Sequence, residues 1–128
     1  MLKKIIFMGT SVFAVKILKS LYQNGYPIAT VYTQAPKKSN RGMRVTKSPV
    51  HSISETWSLE VRTPVTLKNN QEEYEYLKDI DADMCLVNAY GQIIPESFFN
   101  LTKKGFKNIH ASLRPKYRWA APFQGPIM

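Results

Sequence analysis

Short apolar runs alternate with helix-period stripes along this chain, and that alternation restricts it to a small set of folds. Residues 3–8 form an apolar run through Ile5-Ile6-Phe7-Met8 that breaks at Gly9-Thr10-Ser11. The period then changes: Phe13, Ala14, Ile17, Leu18 and Leu21 recur at helical spacing, while Lys16, Lys19 and Gln23 fall on the opposite side. Thr10 or Ser11 caps this helix, and Asn24-Gly25 stops it near residue 23. Residues 28–33, rich in branched and aromatic side chains, predict a second strand, so the chain opens on a β-α-β unit.

The same grammar continues. Ser48-Pro49 pairs a helix cap with proline at the first helical position and predicts a helix over 49–57. A short strand follows at 61–63, then an acidic helix over 70–78 with Tyr74 and Leu77 on its inner side. Residues 83–89 are nearly continuously apolar, as expected of a central strand covered on both faces. Pro95 starts a short helix through Phe98 and Phe99, and residues 105–110 supply a fifth strand. The order predicts one α/β domain with a Rossmann-like, doubly wound, mainly parallel sheet, incomplete at its C-terminal end. The loops after its first, fourth and fifth strands should emerge at one edge. A sheet ending at the fifth strand would leave an apolar edge to be covered.

Charge is segregated along the chain. The net charge is +9, and all nine acidic residues lie between Glu55 and Glu96, which leaves both flanks basic. One cluster, Lys37, Lys38, Arg41, Arg44 and Lys47, is interleaved with Ser39, Asn40 and Gly42 and reads as a mobile basic loop. A second comprises Lys103, Lys104, Lys107, Arg114, Lys116 and Arg118. Both suit a polyanion, and both equally suit a solvated surface. No apolar run approaches the roughly eighteen residues of a membrane span, and the run behind Lys3-Lys4 is too short for a signal peptide. The cytosol is the expected location. The single cysteine, Cys85, sits in Met84-Cys85-Leu86-Val87 and reads as core packing.

Among chemical constellations, Gly9-Thr10-Ser11 offers one glycine where a dinucleotide fingerprint wants three, and no carboxylate precedes Glu55 to hold a ribose. There is no phosphate-binding G-x-x-x-x-G-K-[ST], no G-x-S-x-G elbow and no cysteine and histidine set for zinc. His51 stands alone. Tyr90-Gly91, at the carboxyl end of the fourth strand, either makes a plain turn or lets a flat ligand lie against exposed backbone. Asn108 and His110, two apart at the end of the fifth strand, share a face. They are either structural residues or a pair able to polarise a carbonyl and manage a proton.

Several of these blocks occur together and in order: Gly9-Thr10 with Phe13-Ala14, Val31-Tyr32-Thr33-Gln34, Arg41-Gly42, Ser48-Pro49-Val50, Ala89-Tyr90-Gly91, Ile94-Pro95, Asn108-Ile109-His110, Ser112-Leu113, Pro115 and Ala120-Ala121-Pro122. In this the chain resembles the methionyl-tRNA formyltransferase family over essentially its whole length. The resemblance implies formyl transfer from 10-formyltetrahydrofolate to the amino group of initiator methionyl-tRNA, without a metal. It assigns Asn108 to the formyl oxygen and His110 to the same stabilisation and to proton movement. It places the pterin near Tyr90 and Gly91, with Ser112, Leu113, Arg114 and Pro115 completing the folate site. The loop holding Lys37, Lys38, Arg41, Arg44 and Lys47 matches the family's tRNA-contacting insertion.

The chain also departs from the family. Residues 1–128 correspond to the N-terminal part of the catalytic domain, without the family's catalytic aspartate or its C-terminal tRNA-binding barrel. Arg114 and Trp119 stand where the family has leucine and glycine, and the usual acidic residue near Val12 is missing. Little or no turnover is expected of this piece alone, whether it is a truncated product, a decayed copy or part of a longer chain. A non-catalytic basic α/β module that binds RNA is the alternative.

Overall fold

The computed structural model describes residues 3–38, 44–110 and 118–122, with residues 110 and 118–122 described through their backbone. The first strand, β1 (Ile5–Gly9), is buried along its length and ends where glycine meets the loop into α1 (Val12–Gln23). The Ser11 hydroxyl accepts the Ala14 N–H at the start of that helix, and Asn24 terminates it beside Gly25, whose φ is +78°. Both ends therefore lie where the capping chemistry puts them. β2 (Ile28–Tyr32) completes the parallel unit.

Downstream lie β3 (Lys37–Lys38), β4 (Val45–Thr46), α2 (Pro49–Thr56) and β5 (Val61–Arg62). They are followed by α3 (Gln71–Ile80), β6 (Met84–Asn88), a 3₁₀ segment Glu96–Leu101, β7 (Phe106–His110) and β8 (Arg118–Pro122). Six strands form one sheet in the order β5-β2-β1-β6-β7-β8. The first five are parallel to one another, so the doubly wound, Rossmann-like expectation holds.

Two expectations need correction. The sheet does not end at the fifth strand, because β8 pairs antiparallel with β7 and covers its edge. The basic loop is not featureless either: β3 and β4 pair antiparallel, with Lys37 opposite Thr46 and Lys38 opposite Val45. Pairs only two residues long carry no periodicity, so nothing local announces them.

Side chains alternate across the sheet into two cores. Ile6, Met8, Tyr32, Cys85, Val87 and Phe106 pack on the side of α3 and the 3₁₀ segment. Ile5, Phe7, Val31, Met84, Leu86 and Ile109 pack on the side of α1 and α2. The near-continuous apolar character of β6 reflects this two-sided burial between β1 and β7. Cys85 is fully buried, and desolvation pushes its thiol well above the ordinary range, consistent with a packing role.

A buried polar cluster clamps the edge strand β5 to the sheet. Glu73 of α3, 7% exposed, accepts from Arg62 Nε at 2.7 Å, Arg62 Nη2 at 3.0 Å and Tyr32 Oη at 2.5 Å. The guanidinium also stacks on Tyr76, 3.7 Å from the ring centre. Burial, with the Glu73 hydrogen bond second, raises the Tyr32 phenol far above its usual range, so it remains a donor.

Candidate active site

In a doubly wound sheet the crevice opens where the strand order reverses, here between β1 and β6 at their carboxyl ends. Gly9 pairs with Asn88 at that point. A Cβ on Gly9 would lie 2.8 Å from the Asn88 carbonyl oxygen and 2.7 Å from Ala14 Cβ, so only glycine lets β1, β6 and α1 converge so closely.

The loops leaving these strands are stitched by hydroxyls and amides. The Thr10 hydroxyl donates to the Tyr90 carbonyl at 2.6 Å and accepts the Gln34 N–H at 3.2 Å. Thr33 lies between Thr10 and Ser48, with oxygen separations of 3.5 and 2.6 Å. When Ser48 donates to Thr33, one chain of hydroxyl donors runs from Ser48 through Thr33 and Thr10 to the Tyr90 carbonyl, each bond polarising the next. Ser48 still accepts the His51 N–H at 3.0 Å as the cap of α2. Gln34 Nε2 donates to the Gly91 carbonyl at 2.6 Å, and Gln92 Nε2 donates to the Pro64 carbonyl at 2.7 Å and to Gln34 Oε1 at 3.3 Å. The ends of β1, β2, β5 and β6 are thereby held as one surface.

Against this frame the expected residues separate. Asn108 stands on β7 directly across from Val87 of β6, half-buried, and shares its face with Phe106. The strand backbone continues to His110 at its last position. Gly91 is exposed and adopts φ +90°, a conformation that favours glycine. The Tyr90 ring does not face this cleft: it is fully buried in the α3-side core, its hydroxyl lacks a hydrogen-bond partner among the described residues, and burial raises its pKa. What Tyr90 offers the loops at the strand ends is its carbonyl, which accepts the Thr10 hydroxyl. Ser112, Leu113, Arg114, Pro115 and Arg41 lie outside the described residues.

The basic residues divide as well. Lys37, Lys38 and Arg44 are exposed on the ribbon and its approach. Lys47 is committed to Glu55, with Nζ 2.9 and 2.8 Å from the two carboxylate oxygens, and that hydrogen bond holds the Glu55 carboxyl below the usual carboxylate range. Lys37 and Lys47 line a cleft of about 250 Å³ with Thr10, Gln34 and Ser48. A second cleft, about 500 Å³, runs along Val65, Thr66, Lys68, Gln92 and Ile93 beside the Gly91 turn. Val65 and Ile93 are exposed there, and the buried Gln92 Oε1 lacks a partner among the described residues.

Thr10, Gln34, Asn88 and Gln92 are the site residues that sequence reasoning passed over. Asn88 donates from Nδ2 to the Ile109 carbonyl at 2.7 Å, tying β6 to the strand that carries Asn108, while its buried Oδ1 has no partner among the described residues. A polar residue at or just past a strand end was the available signal for Asn88, Thr10 and Gln34, whereas Gln92 lies well into the loop after β6. Among the described residues no group of three or more His, Cys, Asp or Glu could hold a metal, and no helix is long and apolar enough to cross a membrane.

Residues 3–127 match the model of the formyl transferase family. A methionyl-tRNA formyltransferase of Pelagibacter ubique is 61% identical over all of this chain, which covers 41% of the relative's length. A methionyl-tRNA formyltransferase of Granulibacter bethesdensis is 44% identical over 95% of the chain and 39% of its own length. The chain thus spans about two fifths of the curated relatives it matches. A crystal structure of phosphoribosylglycinamide formyltransferase from Bacillus halodurans superposes with a TM-score of 0.63 at 17% identity, covering 88% of this chain and 58% of the other, and so shares the fold.

Proposed function

Because the chain belongs to the formyl transferase family, we propose that it forms the N-terminal part of the catalytic domain of a cytoplasmic methionyl-tRNA formyltransferase. The observation that carries this reading is Asn108 at the carboxyl end of β7, one strand from the loop that leads into Gly91. An amide N–H in that place can donate to a carbonyl oxygen as negative charge grows on it. His110, last in β7, takes the proton released by the attacking amine and returns it to the departing nitrogen.

A reduced folate is the one-carbon donor in this reading, and when bound it supplies an electrophilic formyl carbon on a nitrogen leaving group. The described residues fit such a group. The Gly91 turn is exposed at positive φ, the apolar flank of Val65 and Ile93 can cover a ring, and Gln92 Oε1 is a buried acceptor with no donor among the described residues. Ser112, Leu113, Arg114 and Pro115 complete the proposed donor site. Initiator methionyl-tRNA is the acceptor in this reading, met by Lys37, Lys38, Arg41, Arg44 and Lys47. The exposed cations Lys37, Lys38 and Arg44 attract phosphates with salt-dependent affinity.

A chimera tests the whole reading. This chain replaces the matching 128 residues of the Pelagibacter ubique relative, and formylation of charged initiator tRNA is measured with 10-formyltetrahydrofolate. The chimera should be active, and Asn108→Ala within it should lower kcat about 10²–10³-fold. A folded but inactive chimera would reject the catalytic role. If it still bound RNA with a normal salt slope, the non-catalytic RNA-binding reading, which the ribbon favours, would replace it.

A further inference from the structure

Gln34 is separated from Gly91 by 57 residues, yet its Nε2 donates to the Gly91 carbonyl at 2.6 Å. Its backbone N–H is held by the Thr10 hydroxyl, which at the same time donates to the Tyr90 carbonyl. Two consecutive carbonyls of the turn, at residues 90 and 91, are thus grasped from one side by two residues that are bonded to each other. A Cβ placed on Gly91 would come within 2.5 Å of Gln34 Nε2, so the amide lies directly over the turn. Gln92 completes the clamp from the other side, through Pro64 and Gln34 Oε1.

We propose that Gln34 is a positioning residue that fixes the orientation of the Gly91 turn and thereby shapes the seat of the formyl donor. The inference rests on the donor-side reading of that turn. Its physical basis is that a glycine at φ +90° is intrinsically free to leave that conformation, and a turn that must present backbone to a ligand gains affinity by being held beforehand. The contact lies at the surface, whereas β1 is buried along its length, so a loosened turn can be told apart from a loosened sheet. Gln34 also opens the segment leading into Lys37 and lines the basic side of the cleft, so it links that side to the donor side.

The test uses the 128-residue chain with three versions of position 34. Gln34→Met keeps the length and removes the donor, whereas Gln34→Lys keeps a donor. Amide hydrogen exchange is followed by mass spectrometry over residues 90–93 and over β1 and β6, and affinity is measured for 5-formyltetrahydrofolate, a stable reduced folate. In Gln34→Met, exchange over 90–93 should quicken several-fold with β1 and β6 unchanged. The Kd should rise about 3- to 10-fold, the effect of one net hydrogen bond. Gln34→Lys should restore both toward the parent values. Unchanged exchange over 90–93, or equal quickening throughout the sheet, would overturn the positioning role. Failure of the parent chain to bind the folate would instead reject the donor-side reading, whatever the exchange showed.

Discussion

Replacing Arg62 by methionine should cost the fold about 3–5 kcal/mol, although Arg62 belongs to a two-residue strand at the sheet edge. The magnitude follows from what is left behind. The Glu73 side chain is 9% exposed and receives two hydrogen bonds from the guanidinium and one from Tyr32. Without the guanidinium a buried carboxylate keeps a single neutral donor, and the stacking on Tyr76 is lost as well. The reverse change is milder. Glu73→Met leaves an arginine whose side chain is 21% exposed, with the exposed Glu72 carboxylate 3.7 Å away, so it can turn outward, and we expect a loss of about 1–2 kcal/mol. The double variant should therefore be more stable than Arg62→Met alone. Urea unfolding of the four proteins, followed by circular dichroism, gives the cycle directly. Additive losses, or a cost below about 1 kcal/mol for Arg62→Met, would refute the claim that a buried, paired carboxylate anchors β5.

Gly9→Ala should destabilise the chain by about 1–3 kcal/mol through overpacking against Asn88 and Ala14, read as a lower thermal midpoint. Asp83 is held below the ordinary carboxylate range chiefly by the Lys3 N–H. Its contribution is present above the unfolded pKa of 3.8 and is lost as pH falls through the lower folded value, so the midpoint gap between the parent and Asp83→Asn should close as pH is lowered from 5 toward 3. In RNA-binding titrations, Lys38→Ala should reduce the salt slope by up to about 0.9, whereas Lys47→Ala should change it less, because Lys47 is engaged by Glu55.

The local architecture was legible because its causes are local. Ser11 and Asn24-Gly25 bracket α1, and Ser48-Pro49 starts α2, through bonds that reach three or four residues. The helix at 71–80 and the central strand at 84–88 followed from period and from continuous apolar character, each within a residue or two of its observed limits. The alternation of these elements implied the parallel sheet, and with it the edge at which Gly9, Gly91 and Asn108 lie. Tertiary structure decided the rest. The Gln34 to Gly91 contact, the joining of Arg62, Glu73 and Tyr32, and the antiparallel seating of β8 on β7 join positions brought together by strand order and register. The inward turn of Tyr90 depended on a core filled from α3 and the 3₁₀ segment. Neighbours in the chain impose periodicity and caps because their hydrogen bonds close within a turn. Which distant polar groups satisfy one another is set only when burial removes water as the alternative partner.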